Sequence, residues 1–481
     1  MERELSQQER KYNVPAKGST VWQVLCVMIR NDMKYVIFTL ALVLGVPVIA
    51  GATAFSKQLK RLAFSVMVVS FLFGSKFSIN IMSMEFYRGP VRGFEVTFAD
   101  IIAMGLVIGM LLRTGSKIIW HPRFLFPLLA FFVFAIINVQ KSMYQVYGWF
   151  VVWQLFRMGF MYWCVLNFFA TEDFDHDAIL ALMQGYIATG WILGAISFKQ
   201  KYLDGIYRTN AFFDHSNTVP SFCLIILCVL LTWVIFDSNL SKVRFVLGFF
   251  ASLGLVFAIF STGSRTGMVT AAGSMVCAIV IAIHKTQRTG RMRFTIAFLI
   301  ACMVLGGLMV MDTVIDRFLN APESSGEARN EFEIAAIMMA DDFEIGVGLN
   351  QYSQILTDLK KYREHFEVMK NEEEGGVAHH IYLLTAAEMG YGGMYAFISI
   401  VVLFGLSMVI YGISWKSLEQ RLLLALAVGF FVLFLIGFYE WVIRQSTVLY
   451  QLVVAVGFGQ ALIYSVKLQK RKQSRSLGGD Q

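Results

Sequence analysis

Two arginines, a pair of histidines and a glutamate are the residues of this chain whose types and settings could do chemistry together. Arg208 lies in IYRTNAFFDHSNTVP, Arg265 in FSTGSRTGM, and His379 and His380 in VAHHIYLL. Arginine is always charged and presents a planar fork that binds phosphate oxygens bidentately, so two of them at a membrane interface suit a pyrophosphate. In GSRTG, Gly263 and Gly267 would let a ligand approach the backbone, and Ser264 or Thr266 could cap a helix starting near Gly267. The N-terminus of that helix would add partial positive charge. An imidazole titrates near neutrality, so His379 or His380 could take the proton of a sugar hydroxyl. His215, beside Asp214 and Asn217 and on the same proposed face as Arg208, is the second choice for that base. Tyr382 and Glu388 follow the histidines. Glu388, two helical turns past His380, enters an apolar run, where an ionisable group is costly and by default suggests function.

Each of these residues has a plainer explanation. Interfacial arginines also snorkel to lipid headgroups, a lone interfacial histidine is more often structural, and Glu388 could be a protonated or paired packing residue. The run EDFDHD (172–177) imitates a metal or nucleotide-sugar motif, but its place after an apolar span makes it a solvated loop and helix cap. Arg157 and Lys76 are charges within apolar surroundings that could line a polar cavity. The stretch 86–100, with Arg88, Arg92 and Glu95, forms a polar turn.

The elements that must position these groups are membrane helices. Hydrophobic residues make up 57% of the 481, charged residues 15%, and mean hydropathy is +0.61, whereas a soluble domain has about a quarter charged residues. Spanning runs of roughly 17 to 25 apolar residues recur at 35–54, 62–80, 96–112, 122–140, 147–170, 178–198, 219–236, 243–262, 267–284, 294–312, 391–413, 421–439 and 446–466. The expected fold is therefore all-α, a polytopic bundle of about 12 to 13 helices with one large loop at 313–377. Within that loop, Phe332, Ala335, Ala336 and Met339 share one face of a predicted amphipathic helix lying on the outer leaflet. The six cysteines lie in or beside apolar segments without a CxxC pair, predicting neither disulfide nor metal. The chain divides into a polar or amphipathic segment (1–34), N-terminal membrane helices (35–177), a core with the large loop (178–413), C-terminal membrane helices (414–466) and a basic tail (467–481).

Lysine and arginine collect in loops of one parity, the cytoplasmic one: at 57–61, 113–123, 242–244, 285–293 and the C-terminus. The loop 171–177 shares that parity but is acidic. Loop 313–377 carries 14 acidic against 6 basic residues, which suits the external side. Thirteen spans put the N-terminus outside, although its arginines and lysines favour inside; an even count would remove that conflict.

Four motifs resemble the bacterial O-antigen ligase and Wzy-type O-antigen polymerase superfamily over about 180–410. They are Arg208 ahead of Phe213 and Asn217, Ser-Arg-Thr-Gly at 264–267, Gly-Val-Gly-Leu-Asn at 346–350, and Ala-His-x-x-Tyr-Leu at 378–383 followed by Ala-Glu-x-Gly at 387–390. The family usually has Asn where this chain has His380. The resemblance implies a metal-independent glycosyltransferase of the GT-C type in the bacterial inner membrane, without cofactor or nucleic-acid partner. Its donor would be a glycan on undecaprenyl pyrophosphate. Its acceptor would be lipid A core, a growing polysaccharide or a protein hydroxyl on the periplasmic side. It implies catalysis by His379, pyrophosphate binding by Arg208 and Arg265, and support from His380, Tyr382, Glu388, His215, Asn217 and Ser264. A polysaccharide-lipid transporter or flippase is the rival; it would place ionisable residues at midplane in paired broken helices.

Overall fold

The computed structural model describes residues 35–478 apart from 75–76, 85–86, 114, 116, 284–289, 291, 299, 302–303, 305–322, 365, 367–375 and 415. Lys76 and the expected span at 294–312, beyond a helical stretch at 292–298, therefore lie wholly or largely outside the described residues. The helices are α1 (Tyr35–Phe55), α2 (Lys57–Ser70), α3 (Phe98–Leu112), α4 (Leu125–Lys141), α5 (Gln145–Thr171), α6 (His176–Phe198), α7 (Thr218–Phe236), α8 (Lys242–Ser261), α9 (Arg265–Ile283), α10 (Glu323–Asp342), α11 (Tyr352–Asp358), α12 (Ile381–Gly412), α13 (Leu418–Ile436) and α14 (Ser446–Gly478). Among the described residues, eight helices are long and apolar enough to cross a membrane, and α3 and α4 are shorter apolar helices. The protein is a multi-pass helical membrane bundle.

The expected span 62–80 is displaced. Its helix starts at Lys57 and ends at Ser70, then a 3-10 turn (Phe71–Phe73) leads to strand β1 (Ser78–Ile81), paired antiparallel with β2 (Phe94–Thr97). The early start carries Lys60 and Arg61 into the helix, which ion pairs make tolerable. Lys60 pairs with Glu172, both buried, and Arg61 reaches Glu172, Asp175 and Asp177. The acidic loop that broke the charge parity is thus the counter-charge of its basic neighbours. Asp175 does cap α6, accepting from the Ala178 N–H at 2.8 Å, but Glu172 is buried rather than solvated.

α7 is the central column, with nearly every residue buried between α8, α9 and α13. α6 and α8 touch backbone to backbone, which small residues permit in membranes. A Cβ on Gly194 would stand 2.8 Å from the Gly254 Cα, and one on Gly254 would stand 2.5 Å from the Gly190 carbonyl oxygen.

The large loop folds against protein. Phe332, Ala335, Ala336 and Met339 pack with Tyr352, Leu356, Ala378 and Leu384. The face expected on the lipid leaflet is covered by α11 and the start of α12, because those elements supply the apolar surface that lipid would otherwise have provided. Residues 346–350 dock on the middle of α12. Val347 and Gly348 donate to the carbonyls of Ala387 and Glu388 at 2.8 and 3.0 Å, and Asn138 donates to Ile345 and Glu388 carbonyls while accepting from the Leu349 N–H. Asn350, at φ 61°, bonds Val91 and Tyr147 through its amide. Gly390 at φ 70° and ψ 171° breaks α12 at that contact, where a Cβ would meet the Glu344 carbonyl oxygen at 2.2 Å.

Candidate active site at one end of the bundle

Four turns meet at the end of the bundle that holds the loop 343–380. The first, 204–217, is fastened to the α8–α9 turn: the Thr209 N–H donates to the Ser261 carbonyl at 3.2 Å, and their hydroxyls bond at 2.7 Å. Arg208 Nε donates to the Thr262 carbonyl at 3.1 Å. That pins its guanidinium beside the turn from which Arg265 starts α9. Ser264 is the cap that the sequence suggested: its hydroxyl accepts from the Gly267 N–H at 3.3 Å, satisfying one of the N–H donors that a helix start leaves unmet.

The second pair of turns brings in His379 and a residue that the motif reading passed over, Glu440. Glu440 follows α13 in FYEWVIR and is only 5% exposed. His379 Nδ1 stands 3.4 Å from its Oε2, and Asn217 Nδ2 donates to its Oε1 at 2.5 Å. Arg208 Nη2 donates to the Asn217 Oδ1 at 3.1 Å, so Arg208, Asn217, Glu440 and His379 form one hydrogen-bonded chain. Arg329 of α10 comes within 3.5 Å of Glu440 Oε1. Burial pushes the Glu440 carboxyl up; the hydrogen bond and charge of His379, with Arg329 and His215, outweigh it and hold it below the ordinary carboxylate range. His215 lies nearby. Its imidazole is pulled down by burial and by Arg208, His379 and Arg329, against the opposing pull of Glu440, and its Nδ1 accepts from the Asn217 N–H at 3.1 Å.

The remaining predicted residues hold structure around this chain. His380 caps α12, its Nδ1 accepting from the Leu383 N–H at 3.1 Å, and burial lowers its basicity. Tyr382 donates to the Phe434 carbonyl at 2.8 Å, and the Ile381 N–H donates to Gly437 at 2.8 Å. Both bonds tie the start of α12 to the end of α13, fixing His379 against Glu440. Glu388 stands apart from them, fully buried in an ion pair with Arg444 of the 3-10 turn Val442–Arg444. The pair borders a cavity of about 90 Å³ whose other walls include Phe131, Leu155, Phe397 and Leu449. Arg157 is likewise paired, with Glu95 at 3.0 Å and Asp100 at 2.8 Å.

Glu440, Arg444 and Arg329 were the omissions. Their signal lies in the short break between two apolar runs, where an acid and a base sit four residues apart, and in the loop helix, where Arg329 stands one turn before Phe332.

An imidazole with one nitrogen held by a buried carboxylate keeps the other as the proton acceptor. Beside it stands a positively charged turn. The site thus stands at one end of a multi-pass helical membrane bundle. Residues 247–398, from α8 through Arg265 and His379 into α12, match the family model described as O-antigen ligase. No curated protein matches the chain. Arg208, Asn217 and Glu440 lie outside the matched stretch, on either side of it, and join His379 through the hydrogen-bonded chain.

Proposed function

We propose that the chain is an inner-membrane glycosyltransferase that moves a glycan from undecaprenyl pyrophosphate to an acceptor hydroxyl on the periplasmic face. The observation that supports the reading is the hydrogen-bonded chain from Arg208 through Asn217 and Glu440 to His379, which holds a guanidinium and an imidazole in one frame. His379 accepts the acceptor's hydroxyl proton as that oxygen bonds to the anomeric carbon. The bond from that carbon to the pyrophosphate oxygen breaks, and the pyrophosphate leaves with the electron pair. Arg208 and Arg265 stabilise the charge it gains, which matters more for so good a leaving group than a proton donor would. Glu440 orients His379 and stabilises the imidazolium that forms. These roles use no metal and no cofactor.

The acceptor, whether lipid A core, a polysaccharide or a protein, is read from cells. In a strain lacking the gene, lipid-linked intact polymer without transfer identifies a ligase and single repeat units a polymerase. Unchanged lipid-linked and transferred glycans would overturn the proposal.

A further inference from the structure

The site holds a cation beyond the two arginines of the motifs, and its setting differs from theirs. Arg329 Nη2 lies 3.5 Å from Glu440 Oε1, longer than a normal hydrogen bond, and its side chain is 42% exposed. Glu440 is already served by Asn217 on one oxygen and His379 on the other. Arg329 therefore adds charge to the carboxylate without being needed to satisfy it, and a loose, half-exposed ion pair of this kind is cheap to break.

The rest of Arg329's helix is firmly placed. Phe332, one turn further along α10, is buried, and its carbonyl accepts from the Tyr352 hydroxyl at 2.6 Å. The chain that leads to His379 lies on the Phe332 ring, where a Cβ on Gly376 would meet it at 2.3 Å. Residues one turn apart share a helix face, so α10 presents Arg329 toward Glu440, at the same carboxylate oxygen that Asn217 binds. The charge of Arg329 is felt at His215 as well as at Glu440.

We infer that Arg329 is a third phosphate ligand of the donor site, which leaves Glu440 for the donor's diphosphate when the donor binds. The inference rests on the reading of the site as one that binds a diphosphate. A guanidinium forms two parallel bonds to phosphate oxygens, which its long contact with Glu440 does not provide. The exchange has a second effect. With Arg329 withdrawn, the negative charge of Glu440 acts on His379 with less competition, so occupancy of the donor site strengthens the base that the reaction then uses.

The test is competition by inorganic pyrophosphate against the full-length protein in detergent, read as inhibition of glycan transfer and as direct binding by calorimetry. Arg329→Ala should weaken pyrophosphate binding about tenfold, the lower range for one charge-assisted hydrogen bond, with Arg329→Lys in between. The factor should persist in a Glu440→Gln background, because the lost contact is to phosphate. If the Arg329→Ala effect vanishes there, Arg329 serves only to neutralise Glu440 and the inference falls. It also falls if Arg329→Ala binds pyrophosphate normally while Arg265→Ala does not. If neither changes binding, the diphosphate reading of the whole site is what fails.

Discussion

His379 Nδ1 and Glu440 Oε2 stand 3.4 Å apart although 61 residues separate them in the chain. The link singles out His379 from its neighbour, since His380 spends Nδ1 on capping α12. His379→Ala should lower transfer roughly 100-fold or more, the scale of a positioned general base. His380→Asn should be nearly silent, because Asn caps a helix well. His215→Ala should fall between them. Rates of the purified variants from pH 6 to 8 check the order, and a dead His380→Asn beside an active His379→Ala would reverse the assignment.

The same carboxylate makes stability depend on pH in a definite direction. The pKa of Glu440 is depressed in the folded protein, so its contribution is present above the unfolded-state value, about 4.3 for Glu, and is lost as pH falls through the folded value. The melting temperatures of wild type and Glu440→Gln should differ above the unfolded-state value and converge as pH falls below it through the folded value. A gap that grows on acidification would contradict the sign.

Arg265 and Arg208 should respond differently from surface arginines to a change of shape at constant charge. Lysine keeps the charge and loses the fork. Arg265→Lys should cut turnover markedly and Arg265→Ala by roughly 10- to 100-fold or more, both with normal membrane insertion. Near-normal transfer by the Arg208→Ala, Arg265→Ala double variant would remove both from the site.

Glu388 and Arg444 are expected to matter for the fold. Taking away one member of a buried ion pair strands the other, at a cost of about 3 to 5 kcal/mol, whereas replacing both with apolar residues is often tolerated. In detergent melts, Glu388→Leu and Arg444→Met should each be strongly destabilised and the double variant should recover. A double variant no better than either single would show that the pair does not act as a unit.

Sidedness follows from the placement of the loops. In a chain freed of Cys277, which is exposed, a cysteine at exposed Glu344 should react with an impermeant thiol reagent in spheroplasts, while one at exposed Asn239, at the opposite end of the bundle, should not. The reverse pattern would put the site in the cytoplasm.

Much of this was legible in the sequence, for reasons that are local. Apolar runs of spanning length announce helices, Ser264 sits where a helix needs a cap, and Phe332 to Met339 repeat with helical period. What escaped notice was non-local. Glu440 carries no motif of its own and gains meaning only when the end of α13 is set against the start of α12. Glu388, by contrast, was conspicuous as a charge in an apolar run, yet the explanation lay 56 residues away in Arg444. The strand pair at 78–81 and 94–97 is not apparent from the sequence, because 78–81 reads as the end of one span and 94–97 as a polar turn leading into the next.

The lock between 346–350 and the break in α12 bears on how such chains can be recombined. Gly346 and Gly390 face each other so closely that a Cβ on either would strike the other's segment, at 2.3 Å from the Glu388 carbonyl carbon and 2.2 Å from the Glu344 oxygen. The early part of the loop is thus continuous with the scaffold, which leaves the interval from Asn350 to Gly376 for the joints of an imported segment. A chimera that imports a foreign loop with its joints inside that interval inherits the frame around His379; one cut at 345 must bring its own α12 with it.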